Sequence, residues 1–172
     1  MIGILLLVVA LLAGWPAHAD HLKPFVPGSW ATLRERNAGR PVVVHFWGLT
    51  CGPCLVELPD WGRLAAERPK ALLVMIAADP YPMKPAALQA TLSKDGLEAT
   101  DNWMFDGFSE RLRFEVDPAW QGELPYTVLI AADGTIATVV GAADLQRIRS
   151  WLDSQTPREM TPAPQGVTAK SQ

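Results

Sequence analysis

Cys51 and Cys54 are the two cysteines of the chain, separated by Gly52 and Pro53. They follow an apolar stretch, PVVVHFWGL, and open a helical pattern over residues 51–68 that Pro59 is expected to break. A Cys-x-x-Cys at the start of a helix has a defined chemical use. Unpaired backbone N–H groups and the helix dipole favour negative charge there. Cys51 therefore gains thiolate character, and Cys54, roughly one turn on, is placed to close a small ring with it. In disulfide exchange, Cys51 bonds to a partner's sulfur and Cys54 resolves the mixed disulfide. Gly52 and Pro53 suit a tight entry into the helix, since proline is tolerated in a first turn. Two other uses of the pair stand beside this one. A static cross-link would close a loop too small to add much stability in the loop-entropy picture. Zinc wants four ligands and no second cysteine pair exists, but a copper site using Cys51, Cys54 and a histidine stays open.

The rest of the chain bounds what such a pair serves. With 172 residues, 49% of them apolar, it can form one domain with its own core. A net charge of −3 without a basic stripe argues against nucleic acid as a partner. Residues 2–13 form an uncharged apolar run, and Ala17 and Ala19 follow as the small residues of a cleavage site. Residues 1–19 read as a secretory signal removed before Asp20. No Lys or Arg precedes the run, and an uncleaved anchor is the alternative, although the run is short of the roughly 20 residues a span needs. Either way the domain at 20–155 is expected outside the cytoplasm, where disulfides persist. Residues 156–172 carry three prolines and little apolar content, the composition of a disordered tail.

The elements that must position the pair follow from local pattern. Ser29 is expected to cap a short helix that ends near Gly39. PVVVHFWGL and ALLVMIAAD read as strands buried on both faces. KPAALQATLSKDG and DLQRIRSWLDS read as amphipathic helices, SERLRFEV as a shorter one. YTVLIAADGTIATVVG reads as a hairpin turning at Asp133 and Gly134. Strands separated by helices pair in parallel through right-handed crossovers, and the hairpin adds antiparallel strands. The fold class is α/β, a central mixed sheet with helices on both faces.

The combination of VVVHFWGLTCGPC, LVELP and, some seventy residues later, LPYTVLIAADGTI resembles the thioredoxin superfamily. Within it, the likeness is to the exported TlpA-like group that includes the ResA- and CcmG-type thiol:disulfide oxidoreductases. It covers residues 30–152 and implies a thioredoxin-like fold. It also implies a redox-active Cys51–Cys54 disulfide as the electron carrier, with no bound cofactor or metal. Pro125 is implied to be cis and packed against that disulfide. Leu124 would offer its backbone to a substrate strand, and Gly52, Pro53 and Trp47 would border the substrate. Glu57, at the acidic position of the ResA-like motif, would handle protons. Partners implied are protein thiols and disulfides, with a membrane electron donor of the DsbD type. The usual task is reduction of selected disulfides in the periplasm, for example in cytochrome c maturation. An oxidase or isomerase using the same residues, or a non-catalytic copper chaperone, is the alternative.

Two positions depart from the pattern. His45 stands inside a buried strand where thioredoxin carries an aspartate. It titrates nearer neutrality, so it reads either as a proton relay to Cys54 or as a core histidine satisfied by one hydrogen bond. Thr50 replaces the tryptophan that usually precedes the first cysteine and removes a flat docking element. Trp103, Phe105, Phe108 and Trp120 are expected in the core, with a rebuilt docking groove as the alternative.

Overall fold

The computed structural model describes residues 22–155; the expected signal segment, His18, His21 and the tail lie outside the described residues. The order of elements is β1 (Lys23–Phe25), α1 (Ser29–Arg36), β2 (Val42–Trp47), α2 (Gly52–Glu67), β3 (Leu72–Ala77), α3 (Pro85–Lys94), β4 (Asp101–Phe105), α4 (Ser109–Val116), β5 (Tyr126–Ile130), β6 (Ile136–Val140) and α5 (Leu145–Gln155). The strands form one six-stranded sheet in the order β1-β4-β3-β2-β5-β6. β1, β4, β3 and β2 pair in parallel, while β5 runs antiparallel to β2 and β6 to β5. This is the expected mixed sheet with helices on both faces.

Strand alternation sorts the core into two layers. Val43 and Trp47 of β2 face α2, α3 and α5, packing with Leu58, Trp61, Leu64, Leu88, Leu92, Ile148 and Leu152. Val42, Val44 and Phe46 face the other way, toward Trp30 and Leu33 of α1 and Leu112 of α4. β2 is buried along its whole length, as its unbroken apolar run requires.

Three local expectations change. Gly28, not Ser29, stands at the N-cap of α1, in the left-handed region at φ 87°. The Ser29 hydroxyl instead accepts the Val26 N–H at 2.9 Å. Pro59 does not break α2, which runs through it. The proline sits on the exposed side, while Leu58, Trp61 and Leu64 hold the opposite face in the core. The sheet also has two further strands, β1 and β4. Pro24 in β1 is tolerated because an edge strand need not donate every ladder hydrogen bond.

Candidate active site

β2 delivers the chain to the redox pair. After Trp47 the chain turns, with the Cys51 N–H donating to the Gly48 carbonyl at 3.2 Å, and α2 begins. Cys51 is the N-cap of α2, in extended backbone conformation, with a proline in the first turn. A disulfide joins Cys51 to Cys54, with Cα atoms 5.3 Å apart. The two sulfurs differ in their surroundings. Cys51 is half-buried between exposed neighbours, whereas Cys54 is wholly enclosed. The Cys54 backbone N–H points at Cys51 Sγ, 3.2 Å away, which makes the sulfur the capping acceptor of the helix. An N-cap acceptor takes an otherwise orphaned donor, and the same donor would face a Cys51 thiolate after reduction.

The Leu124–Pro125 peptide is cis. Phe46 pairs with Tyr126 across β2 and β5, so Pro125 lies beside the C-terminal end of β2, the end of the sheet from which the chain leads to the redox pair. Pro125 is buried and Leu124 half-buried; the Pro125 carbonyl accepts the Gly141 N–H at 2.8 Å. Gly52 and Pro53 are exposed beside the disulfide. Trp47 is corrected: its indole is fully enclosed in the core with Cys54 and Trp61. It supports the site from below and offers no surface to a substrate.

His45 and Glu57 meet. The His45 ring lies fully enclosed against Trp61, with ring centroids 4.5 Å apart. Its Nδ1 is 3.0 Å from Thr127 Oγ1, the residue directly opposite in the β2–β5 register. Its Nε2 is 3.0 Å from Glu57 Oε1. That is ion-pair distance, off the line of a well-aligned hydrogen bond. The other carboxylate oxygen, Glu57 Oε2, accepts the Ala143 N–H at 3.0 Å. Glu57 is thus buried, not a solvated helix residue. Burial holds the His45 imidazole below its usual range; contact with Glu57 and its negative charge pull the other way.

The aromatic set divides as well. Trp103 and Trp120 are buried, and Trp120 stacks on Tyr126 with centroids 4.5 Å apart. Phe105 is half-buried and packs on Phe25. Phe108 is exposed. Three of the four therefore belong to the core layer around Phe46.

Sequence reasoning missed Asp79, Thr127 and the Ala143 N–H. Asp79 carried a readable signal: it is an acid two residues past the end of β3, in the parallel half of the sheet, where α/β sheets gather their sites. Thr127 and Ala143 carried none, because their roles depend on register and on a loop approach. Among the described residues no group of three or more His, Cys, Asp or Glu is arranged to hold a metal ion. Among the same residues no helix is long and apolar enough to cross a membrane.

No family model matches the chain. The chain is 27% identical over 131 residues to the thiol-disulfide oxidoreductase ResA of Oceanobacillus iheyensis, a match covering 70% of this chain and 60% of that protein. Among solved structures, it resembles a secreted Mycobacterium tuberculosis disulfide oxidoreductase described as homologous to E. coli DsbE. That likeness has TM-score 0.56 and 25% identity, over 70% of this chain and 85% of that one. StoA of Bacillus subtilis shares the fold at TM-score 0.51 and 21% identity, over 67% of this chain and 84% of that one. Taken with the sheet topology and the placement of the cysteine pair, these likenesses show a thioredoxin-like fold and support kinship with the TlpA-like thiol:disulfide oxidoreductases.

Proposed function

We propose that the protein is an extracytoplasmic thiol:disulfide oxidoreductase that reduces selected protein disulfides. The observation that carries the reading is the asymmetry of the pair: a half-buried Cys51 capping α2, and a fully enclosed Cys54 behind it. Only Cys51 offers a sulfur that a bulky partner can reach. The likeness to ResA and to the secreted disulfide oxidoreductase supports the same chemistry.

In the reduced protein, the Cys51 thiolate attacks one sulfur of a client disulfide. One S–S bond forms, one breaks, and the departing client thiolate takes up a proton. Cys54 then loses its proton and attacks Cys51 Sγ. The ring closes, and the second client thiol leaves. Two electrons pass to the client, and the Cys51–Cys54 disulfide is left oxidised. Glu57 lies three residues after Cys54 on the same helix face, so the proton released by Cys54 passes to the Glu57–His45 pair. The cis-Pro125 loop and Leu124 border the client, with Gly52 and Pro53 on the opposite side. An external dithiol restores the reduced form; a DsbD-type membrane protein is the donor class, and cytochrome c maturation the setting, that the family likeness favours.

The test is trapping. With Cys54→Ser, the reduced protein accumulates a mixed disulfide with a client disulfide through Cys51, whereas Cys51→Ser traps none. Equal trapping by both variants, or none by either, contradicts the assignment of roles.

A further inference from the structure

Asp79 follows β3 at the C-terminal end of the central strands, the end that leads to the redox pair, and it is nearly enclosed, at 6% exposure. Its carboxylate accepts three hydrogen bonds, all from the turn that leads into Cys51. Oδ2 accepts the Leu49 N–H at 3.1 Å. Oδ1 accepts the Thr50 N–H at 3.0 Å and the Thr50 hydroxyl at 2.9 Å. An ionised carboxylate is an acceptor-only group, and every contact here is a donor to it. Gly48 completes the seat, because a Cβ at that position would meet Asp79 Oδ1 at 2.7 Å. The carboxylate thereby accounts for two residue types in the turn: Gly48 by close approach, and Thr50 by its hydroxyl.

A carboxylate held on this turn acts on the sulfur that follows it in two ways. Its charge-assisted bonds fix the backbone from which Cys51 is presented. Its charge also opposes the negative charge that develops when Cys51 becomes a thiolate, against the pull of the α2 N-terminus. Destabilising the thiolate form destabilises the reduced pair, and a less stable reduced pair is a stronger reductant.

We infer that Asp79 is a positioning residue of the exchange site: it clamps the turn ahead of Cys51 and, through its charge, poises the couple toward reducing its clients. This rests on the oxidoreductase reading above. The other titratable groups on this side are His45 on β2, Glu57 on α2, and Tyr81, which borders the same small hollow as Asp79; the test leaves all three in place.

The experiment equilibrates the full chain, Asp79→Asn and Thr50→Val with glutathione, and also records their thermal midpoints. Asp79→Asn, which removes the charge and keeps one acceptor, shifts the equilibrium toward the reduced pair severalfold. Thr50→Val, which removes one hydrogen bond and keeps the charge, lowers the thermal midpoint and shifts the equilibrium by less than about twofold, a neutral hydroxyl carrying no comparable field. A folded Asp79→Asn protein with the wild-type equilibrium overturns the inference. Where Asp79→Asn fails to fold, Asp79→Ser supplies an uncharged side chain with a hydroxyl acceptor and is expected to shift the equilibrium in the same direction; a folded uncharged variant with the wild-type equilibrium overturns the inference. A wild-type chain with no reversible couple contradicts the oxidoreductase reading itself, which separates the two failures.

Discussion

His45 Nε2 lies 3.0 Å from Glu57 Oε1, and neither side chain has more than a trace of solvent exposure. A base and an acid enclosed together share protons more readily than either does alone, because burial penalises the fully charged pair and the isolated charge alike. Glu57 sits one turn beyond Cys54 on α2, and in the exchange mechanism proposed above the pair would take the proton that Cys54 must lose.

His45→Ala is therefore expected to slow resolution of a trapped mixed disulfide more than it slows the first attack by Cys51. The expected loss in the resolving step is on the order of a hundredfold, the low end of what a positioned proton acceptor contributes. Rapid mixing with acid quenching separates the two steps. Equal slowing of both would remove His45 from the relay.

The same histidine makes folding depend on pH. Burial lowers its pKa in the folded protein, while the unfolded chain titrates near pH 6.5. Above that pH both states hold a neutral ring and the group has no effect. As pH falls through this value the unfolded state binds the extra proton first, and stability is lost until the folded pKa is passed. The slope is at most about 1.4 kcal/mol per pH unit. Denaturant titrations between about pH 7 and 5 should show this loss, and His45→Gln should flatten it. A variant with the wild-type slope would mean that other groups set the dependence.

Glu57 also holds the loop before α5, because its Oε2 accepts the Ala143 N–H. Glu57→Ala leaves the part-buried Ala143 N–H without its acceptor and removes the carboxylate beside His45, at a cost of about 1–3 kcal/mol. Glu57→Gln retains a carbonyl oxygen for Ala143 and is expected to cost less. Unfolding midpoints of the two variants, compared with wild type, check the order.

Gly62 is the point where α2 meets the end of α3. A Cβ there would lie 1.7 Å from the Asp95 carbonyl oxygen, which belongs to backbone and cannot swing away. Gly62→Ala is expected to destabilise the fold by about 1–3 kcal/mol, as overpacking does, despite alanine's better helix propensity. A thermal midpoint at or above wild type would show that α2 and α3 separate more easily than their contact implies.

Most of this architecture was legible because its signals are local and strong. The unbroken apolar runs of β2 and β3 and the hairpin turn at Asp133 and Gly134 each state their structure within a few residues. β4 did not, because Asp101 and Asn102 dilute its pattern. Asp101 pairs with Lys23 of the still shorter β1, and Asn102 turns its amide to the Leu97 carbonyl. The cysteine pair was legible by spacing, and the cis-proline position by likeness. His45 and Glu57 were each visible as ionisable residues near the pair. Their meeting was not, since it depends on α2 crossing β2 at Trp61. Trp47 misled for the same reason: its position beside the motif suggests substrate contact, but strand alternation points its ring into the core.

The most direct test of the central claim is the equilibrium reduction potential of the Cys51–Cys54 pair, measured against dithiothreitol and glutathione buffers. The account predicts one reversible two-electron couple at about −270 mV or below, in the range of a reductase that draws electrons from a donor. A couple near about −120 mV would contradict the direction of electron flow and mark a disulfide donor, and the absence of any reversible couple would contradict the oxidoreductase reading altogether.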